Sequence, residues 1–332
     1  MDATTSTDGS GFRLIVDCKS SSDFLNKISP LRSAHTTDHA YRGLPTTEYA
    51  LTPTLFRSPI PTQIPDVVSL AAFSSAPPQW CHELELLRQF YWRLNRAGLA
   101  IPDDSASLRT LFEKDSRRSI TEIVDNDGFW PPREVDGLMA LAQHNTLPTR
   151  LLDWTWSPFV AAFFACVIPV KTIANPFEPL PAEQKKLCVW CLDTSALKNL
   201  NALRSSNRVE TVTVAAATNP LVHAQSAFFT TIRSSIQSYD EAFEQKALDQ
   251  QLQELMPGRS PPEGWSSVDY PLTCFTLPQL HAPQLAHDLT KLGISYATIY
   301  PGYDGVAKSI FLEDLIEKAL KRGHDDARIA TV

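Results

Sequence analysis

No stretch of this chain reaches the roughly 18 to 20 consecutive apolar residues that a membrane span requires; residues 159–170 come nearest and are broken by Pro169. A membrane protein is therefore not expected. A basic excess is missing as well, since 30 Lys and Arg stand against 37 Asp and Glu, for a formal net charge of −7. This argues against attachment to nucleic acid or membrane by bulk electrostatics, while leaving room for local basic patches. The absence of any Gly-rich phosphate loop, Gly-x-Ser-x-Gly elbow or Walker-type signature sets aside P-loop NTPases and α/β-hydrolases. His82, His223, His281 and His287 stand at no metal-ligand spacing to one another or to a cysteine pair, so no metal is expected.

Six cysteines, at 18, 81, 166, 188, 191 and 274, make no disulfide framework in a chain long enough to fold without staples. Cys188-Val-Trp-Cys191 has CxxC spacing but no second pair, and it lies in an apolar run, so core thiols are the expected reading. Residues 1–10 carry neither the basic nor the apolar region of a signal peptide and read as the frayed polar tail of a cytosolic protein.

What is there suffices for a sizeable core: 332 residues, 43% of them hydrophobic. A strand is expected over 12–16, then a helix capped within Ser21-Ser22-Asp23, carrying Phe24, Leu25 and Ile28 and stopped by Pro30. The proline-rich passage from 44 to 78 reads as mainly surface loop. Residues 79–97 repeat Trp80, Leu84, Leu87, Tyr91 and Leu94 at three- and four-residue steps, which marks an amphipathic helix. Weaker helices follow at 105–114 and 133–145. A short strand at 150–154 leads to Ser157 as N-cap and Pro158 as first residue of a helix over 159–167. Further strands are expected at 187–193, 209–215, 226–232, 271–277 and 294–300. Further helices are expected at 240–255 on the surface, at 283–292 with Gly293 after it, and at 305–321 ending at Gly323. Without repeats or long linkers, this amounts to one α+β domain with a helical insertion.

The densest chemistry lies in 141–166, where His144, Thr149, Arg150, Asp153, Thr155 and Ser157 are packed between two apolar segments. A core strand has no need of so many polar groups. Together with Tyr41-Arg42-Gly43, the run Ala-Gln-His-x-x-Leu-Pro-Thr-Arg-Leu-Leu-Asp-Trp-Thr-x-Ser-Pro at 142–158, the later Ala224-Gln225 with Phe228, Phe229 and Thr230, and Gly293-Ile294 with the Tyr300-Pro301-Gly302-Tyr303-Asp304-Gly305 segment, this resembles the FRG domain family. The family takes its name from the (Phe/Tyr)-Arg-Gly tripeptide. The likeness covers roughly 38–312, with 79–145 mainly a helical insertion, 1–37 an N-terminal tail and helix, and 313–332 a C-terminal end. The chain departs from the family at Asn145-Thr146, usually an aromatic and a glycine, and at Ser226-Ala227, where a glycine is common.

A second likeness is to ADP-ribosyltransferases of the Arg-Ser-Glu type, which implies an ADP-ribosyltransferase-like mixed or antiparallel β core and NAD as substrate. Arg42 would take the first role. Asp153-Trp154-Thr155-x-Ser157, with Ala162-Phe163-Phe164-Ala165, would take the second, and Gln225 would replace the usual Glu. The resemblance also implies a macromolecular acceptor, protein or nucleic acid, a toxin or anti-phage role, and an antitoxin or regulatory protein as partner.

On this reading Arg42, His144, Asp153 and Gln225 are the catalytic candidates, and Tyr41, Arg42, Gly43, Arg150, Thr155 and Ser157 hold the cofactor. An arginine beside a glycine can fork onto phosphate while the backbone approaches closely, and short hydroxyls can hold a ribose or nicotinamide. Each candidate also has a plain structural alternative. Arg42 could pair with Glu83 or Asp153, His144 could bond a carbonyl at a helix end, Ser157 could be only an N-cap, and Gln225 an ordinary buried amide. Trp154 and Trp156 read as core. A non-catalytic module binding a nucleotide or partner is the competing function, and a nuclease is disfavoured by the absence of evident carboxylate clusters.

Overall fold

The computed structural model describes residues 5–7, 13–31, 39–57, 79–113, 119, 123, 128–201, 207–215, 220–235, 247–255 and 271–329. Its strands are β1 (Thr5–Thr7), β2 (Arg13–Asp17), β3 (His39–Leu44), β4 (Phe129–Trp130), β5 (Leu152–Thr155), β6 (Lys186–Asp193), β7 (Asn207–Val212), β8 (Ala227–Ser235) and β9 (Leu272–Pro278). Among the described residues these nine strands form one sheet in the order β1-β2-β9-β6-β3-β5-β8-β4, with β7 paired to β8 off that path. Only β2 and β9 run parallel; every other pairing is antiparallel. The protein is thus an α+β molecule built on an open mixed sheet. No helix among the described residues is long and apolar enough to cross a membrane.

The helices are α1 (Ser21–Ile28), α2 (Gln79–Arg96), α3 (Ala106–Glu113), α4 (Asp136–His144), α5 (Pro158–Ala174), α6 (Thr194–Asn201), α7 (Pro220–Ala224), α8 (Leu248–Leu255), α9 (Ala282–Lys291), α10 (Tyr296–Ile299) and α11 (Tyr303–Ile329). Strand alternation sorts β6 between two cores: Leu187, Val189 and Cys191 pack with α5, α9 and α11, while Cys188, Trp190 and Leu192 face the opposite layer. The CxxC pair is therefore split across the sheet, one sulfur on each side. A third core joins α2, α3 and α4 to the end of the sheet, through Trp80, Leu84, Phe112, Trp130 and Leu138 with Leu151 and Phe229.

Helix α5 is apolar on nearly every face because it lies between the sheet and α9 and α11. Its N-terminus is fixed as the sequence indicates, with Ser157 accepting from the Val160 N–H at 3.4 Å and Pro158 in the first turn. It then continues through Pro169 to Ala174, past the expected end at 167. Burial on both flanks outweighs the roughly 3 kcal/mol that an internal proline costs. Gly43 explains how tightly β3 lies on this helix: a Cβ there would fall 1.8 Å from the Ala161 carbonyl oxygen.

Several sequence expectations are corrected. Helix α1 is capped by Ser20, whose hydroxyl accepts from the Asp23 N–H. Thr5–Thr7, expected as frayed tail, pair with β2. The strand expected at 150–154 is displaced to 152–155, leaving Arg150 ahead of it. The strand expected at 294–300 is the short helix α10, because Ser295 and Thr298 close a reciprocal capping box there. Helix α8 is less superficial than its polarity suggests, burying Leu248, Gln251 and Leu252. The last helix runs through Gly323 rather than stopping at it. Residues 58–78, 240–246 and 257–269 of the expected loops and surface helix lie outside the described residues.

Candidate functional site

Strand β3 pairs with β6 along all six of its residues but with β5 at one position, Tyr41 opposite Thr155. Beyond that pair β3 and β5 no longer bond as neighbours. A cavity of about 600 Å³ is found there, lined by Tyr41, Arg42 and Gly43 from β3 and by Asp153, Trp154 and Thr155 from β5. Its other walls come from the end of α4, with Gln143 and His144, from Ala161 and Phe164 of α5, and from Leu221, Gln225, Thr54 and Tyr300. Pockets of this size commonly hold small-molecule ligands.

Arg42 crosses the gap. Its Nη1 donates to the Asp153 carbonyl at 2.7 Å and lies 3.4 Å from Asp153 Oδ2, while its Nε is buried without a partner. The side chain of Arg42 is only 12% exposed, against 52% for Asp153. The ion pair is thus one-sided: the cation is sunk and incompletely bonded, and the carboxylate is open to solvent. Gln143 holds the other carboxylate oxygen, donating from Nε2 to Asp153 Oδ1 at 2.6 Å, and is itself oriented by the Thr149 hydroxyl.

His144 sits at the C-terminal end of α4, with its ring edge-on to Phe229 at 5.7 Å. Burial pulls its pKa below the usual 6.5, against the opposing pull of Asp153 and a hydrogen bond to the Ala140 backbone. The neutral imidazole is favoured. Burial, then the neighbouring Cys191, pushes the Tyr41 hydroxyl well above its usual value, so it remains protonated. Tyr300 is also raised, by burial first, then by Tyr296, with Asp153 adding to the effect.

Of the residues singled out from the sequence, Tyr41, Arg42, Gly43, His144, Asp153, Thr155 and Gln225 line this one cavity. Arg150 and Ser157 do not. Arg150 is buried, binds Glu83 through Nε and Nη2 at 2.6 Å each, and reaches the Ile232 carbonyl at 3.1 Å. It ties the segment before β5 to α2 and to β8. Ser157 serves as the N-cap of α5. Thr155 lines the cavity, but its hydroxyl is engaged, donating to the Gln225 carbonyl at 2.6 Å and accepting from the Ser157 N–H at 3.0 Å. That bond ties the end of β5 to the turn before β8. Trp154 is core, as expected, whereas Trp156 is 46% exposed and stacks on Phe228 at 4.2 Å.

Gln143, Thr54 and Tyr300 are among the lining residues to which sequence reasoning assigned no role. Gln143 and Tyr300 lie within the motif segments, and their position beside His144 and before Pro301-Gly302 was the available signal. Thr54 stands in non-periodic, proline-rich sequence that carried none. The two departures from the family pattern are structurally marked: Thr146 and Ser226 adopt φ of 67° and 47°, the left-handed region where glycine is at ease. Thr146 lines the cavity, and Ser226 follows Gln225 directly.

Among the described residues, no group of three or more His, Cys, Asp or Glu side chains could hold a metal ion. No curated protein and no solved structure matches the chain. The FRG domain family model matches residues 37–172, which takes in β3, the helical insertion, β5 and nearly all of α5, and so includes Arg42, His144 and Asp153 but not Gln225 or Tyr300. Residues 37–172, where the Tyr-Arg-Gly strand and the 142–158 run meet across one cavity, thus match the FRG domain.

Proposed function

We propose that the cavity between β3 and β5 binds NAD⁺ and that the protein is an ADP-ribosyltransferase-like enzyme modifying a macromolecule, protein or nucleic acid, in the manner of a toxin or anti-phage effector. The observation that carries this reading is Arg42, reaching across the gap with a buried, unpartnered Nε. A pyrophosphate oxygen would supply the missing acceptor, and a guanidinium suits it geometrically. Asp153 is the one carboxylate among the lining residues described, and its side chain is half exposed.

In the transfer, the acceptor atom forms a bond to the ribose C1′ while the C1′–nitrogen bond breaks, and nicotinamide leaves with the electron pair. Positive charge builds on the ribose as this happens, and Asp153 is suited to stabilise it. The acceptor's proton passes to Asp153 or to water. His144, kept neutral by burial, hydrogen-bonds rather than repels a cationic nicotinamide. Gln225, being neutral, orients the acceptor without acting as a base.

A second reading is favoured by one specific observation: Asp153 is already engaged by Arg42 and Gln143, and Gln225 brings no charge. The site would then be a non-catalytic module for a nucleotide or partner. Incubation of the protein with NAD⁺ and cell lysate separates the two. Release of nicotinamide with labelling of a macromolecule, absent in Arg42→Gln, supports the enzyme. Saturable ADP-ribose binding without release supports the module, and neither signal would remove both.

A further inference from the structure

A second arginine, outside all the motif segments, stands one turn from the cavity-lining Thr54 without itself lining the cavity. The chain from Pro53 makes a 3₁₀ turn over Thr54–Phe56, and Arg57 closes it by donating its N–H to the Thr54 carbonyl. In a 3₁₀ turn, side chains at i and i+3 eclipse, so Arg57 lies above Thr54, a cavity-lining residue. The turn is held in place from beneath. The Leu55 N–H donates to the Thr149 carbonyl at 3.2 Å, and the Phe56 ring packs 5.5 Å from the Arg150 guanidinium. Arg57 spends its Nε on the Thr52 carbonyl at 3.1 Å, and its two terminal nitrogens make no hydrogen bond or ion pair among the described residues.

Partial burial first, and the Arg42 guanidinium next, lower the pKa of Arg57, with Asp153 opposing. Two guanidinium groups therefore share one neighbourhood with a single carboxylate. Repulsion between them is relieved by an anion carrying more than one negative charge, and the buried Arg42 Nε and the free end of Arg57 offer it donors from two sides. We infer that Arg57 and Arg42 together clamp a diphosphate, which makes the ligand a nucleoside diphosphate derivative rather than a nucleoside or a neutral sugar. This rests on the proposed role of the cavity and narrows it to one ligand class and one added residue.

Calorimetric titration of the full chain with inorganic pyrophosphate, ADP-ribose and adenosine tests the clamp, comparing wild type with Arg57→Gln. Arg57 keeps much of its surface exposed and its one side-chain hydrogen bond among the described residues is exposed, so the variant's urea midpoint should lie close to that of the wild type. The expected result is a loss of about tenfold in affinity for both pyrophosphate and ADP-ribose, with adenosine unaffected and the salt dependence reduced. Equal ADP-ribose affinity in the two proteins would overturn the clamp, as would a wild type that binds no pyrophosphate. If nicotinamide release persists while Arg57→Gln changes no affinity, the clamp alone fails. If pyrophosphate binding depends on Arg57 but NAD⁺ is not turned over, the clamp stands and the enzymatic reading fails.

Discussion

Two arginine–carboxylate pairs, built from the same chemistry, show how this molecule separates frame from site. Arg150 and Glu83 are both buried, joined by two bonds of 2.6 Å, with the remaining needs of the pair met by Ile232 and by Trp130, whose Nε1 donates to Glu83 at 2.9 Å. Nothing is left over for a ligand. Arg42 and Asp153 meet at 3.4 Å, with one partner half exposed and a buried Nε unused. Saturation distinguishes the two pairs better than motif membership does, since both arginines belong to family-like segments.

The largest expected effect breaks the saturated pair. Glu83→Leu should destabilise by about 3–5 kcal/mol, because it strands the Arg150 charge in the interior. Urea unfolding measures this, and converting Arg150 to Met in the same chain should recover much of the loss. Arg42→Gln should instead cost under about 1 kcal/mol of stability, as a partly solvated pair of poor geometry contributes little. Its effect belongs to ligand affinity, with an expected loss of tenfold or more for ADP-ribose.

Smaller effects sharpen the contrast around the cavity. Thr146→Gly should raise stability by about 1 kcal/mol by releasing a β-branched residue from left-handed backbone, less the extra entropy glycine brings to the unfolded chain. Ser226→Gly should do so by less. Thermal unfolding of each variant would show the ranking.

The smallest effect concerns pH. The folded pKa of His144 lies below 6.5, so the folded state favours the neutral imidazole. Its contribution is present above pH 6.5 and is lost as pH falls through the folded value. Replacing His144 with Gln should flatten that part of a stability profile between pH 7 and 5.

Much of the frame was legible because it rests on local rules. The 79–96 helix follows its apolar period, and Ser157-Pro158 start α5 as caps do. The expectations that failed depend on neighbours. Pro169 is carried within a helix because tertiary burial surrounds it, and 296–299 turn helical through a two-residue capping box rather than through periodicity.

The site was legible to the same degree. Motif order named Arg42, His144, Asp153 and Gln225, which the structure brings to one cavity, but it did not indicate which polar atoms would already be spent. The engagement of the Thr155 hydroxyl by Gln225, and of Arg150 by Glu83 from 67 positions earlier, depends on long-range packing that no spacing encodes. Arg57 gave no signal because its position comes from a 3₁₀ turn in proline-rich sequence.

On the proposed reading, the ligand binds in the gap between β3 and β5 that Arg42 bridges. Titration of ADP-ribose into wild type, Arg42→Gln and the Glu83→Leu, Arg150→Met double variant tests it most directly. Binding should be retained in wild type and the double variant and lost in Arg42→Gln, whose fold remains intact by urea unfolding. Equal affinity in Arg42→Gln and wild type would contradict the account.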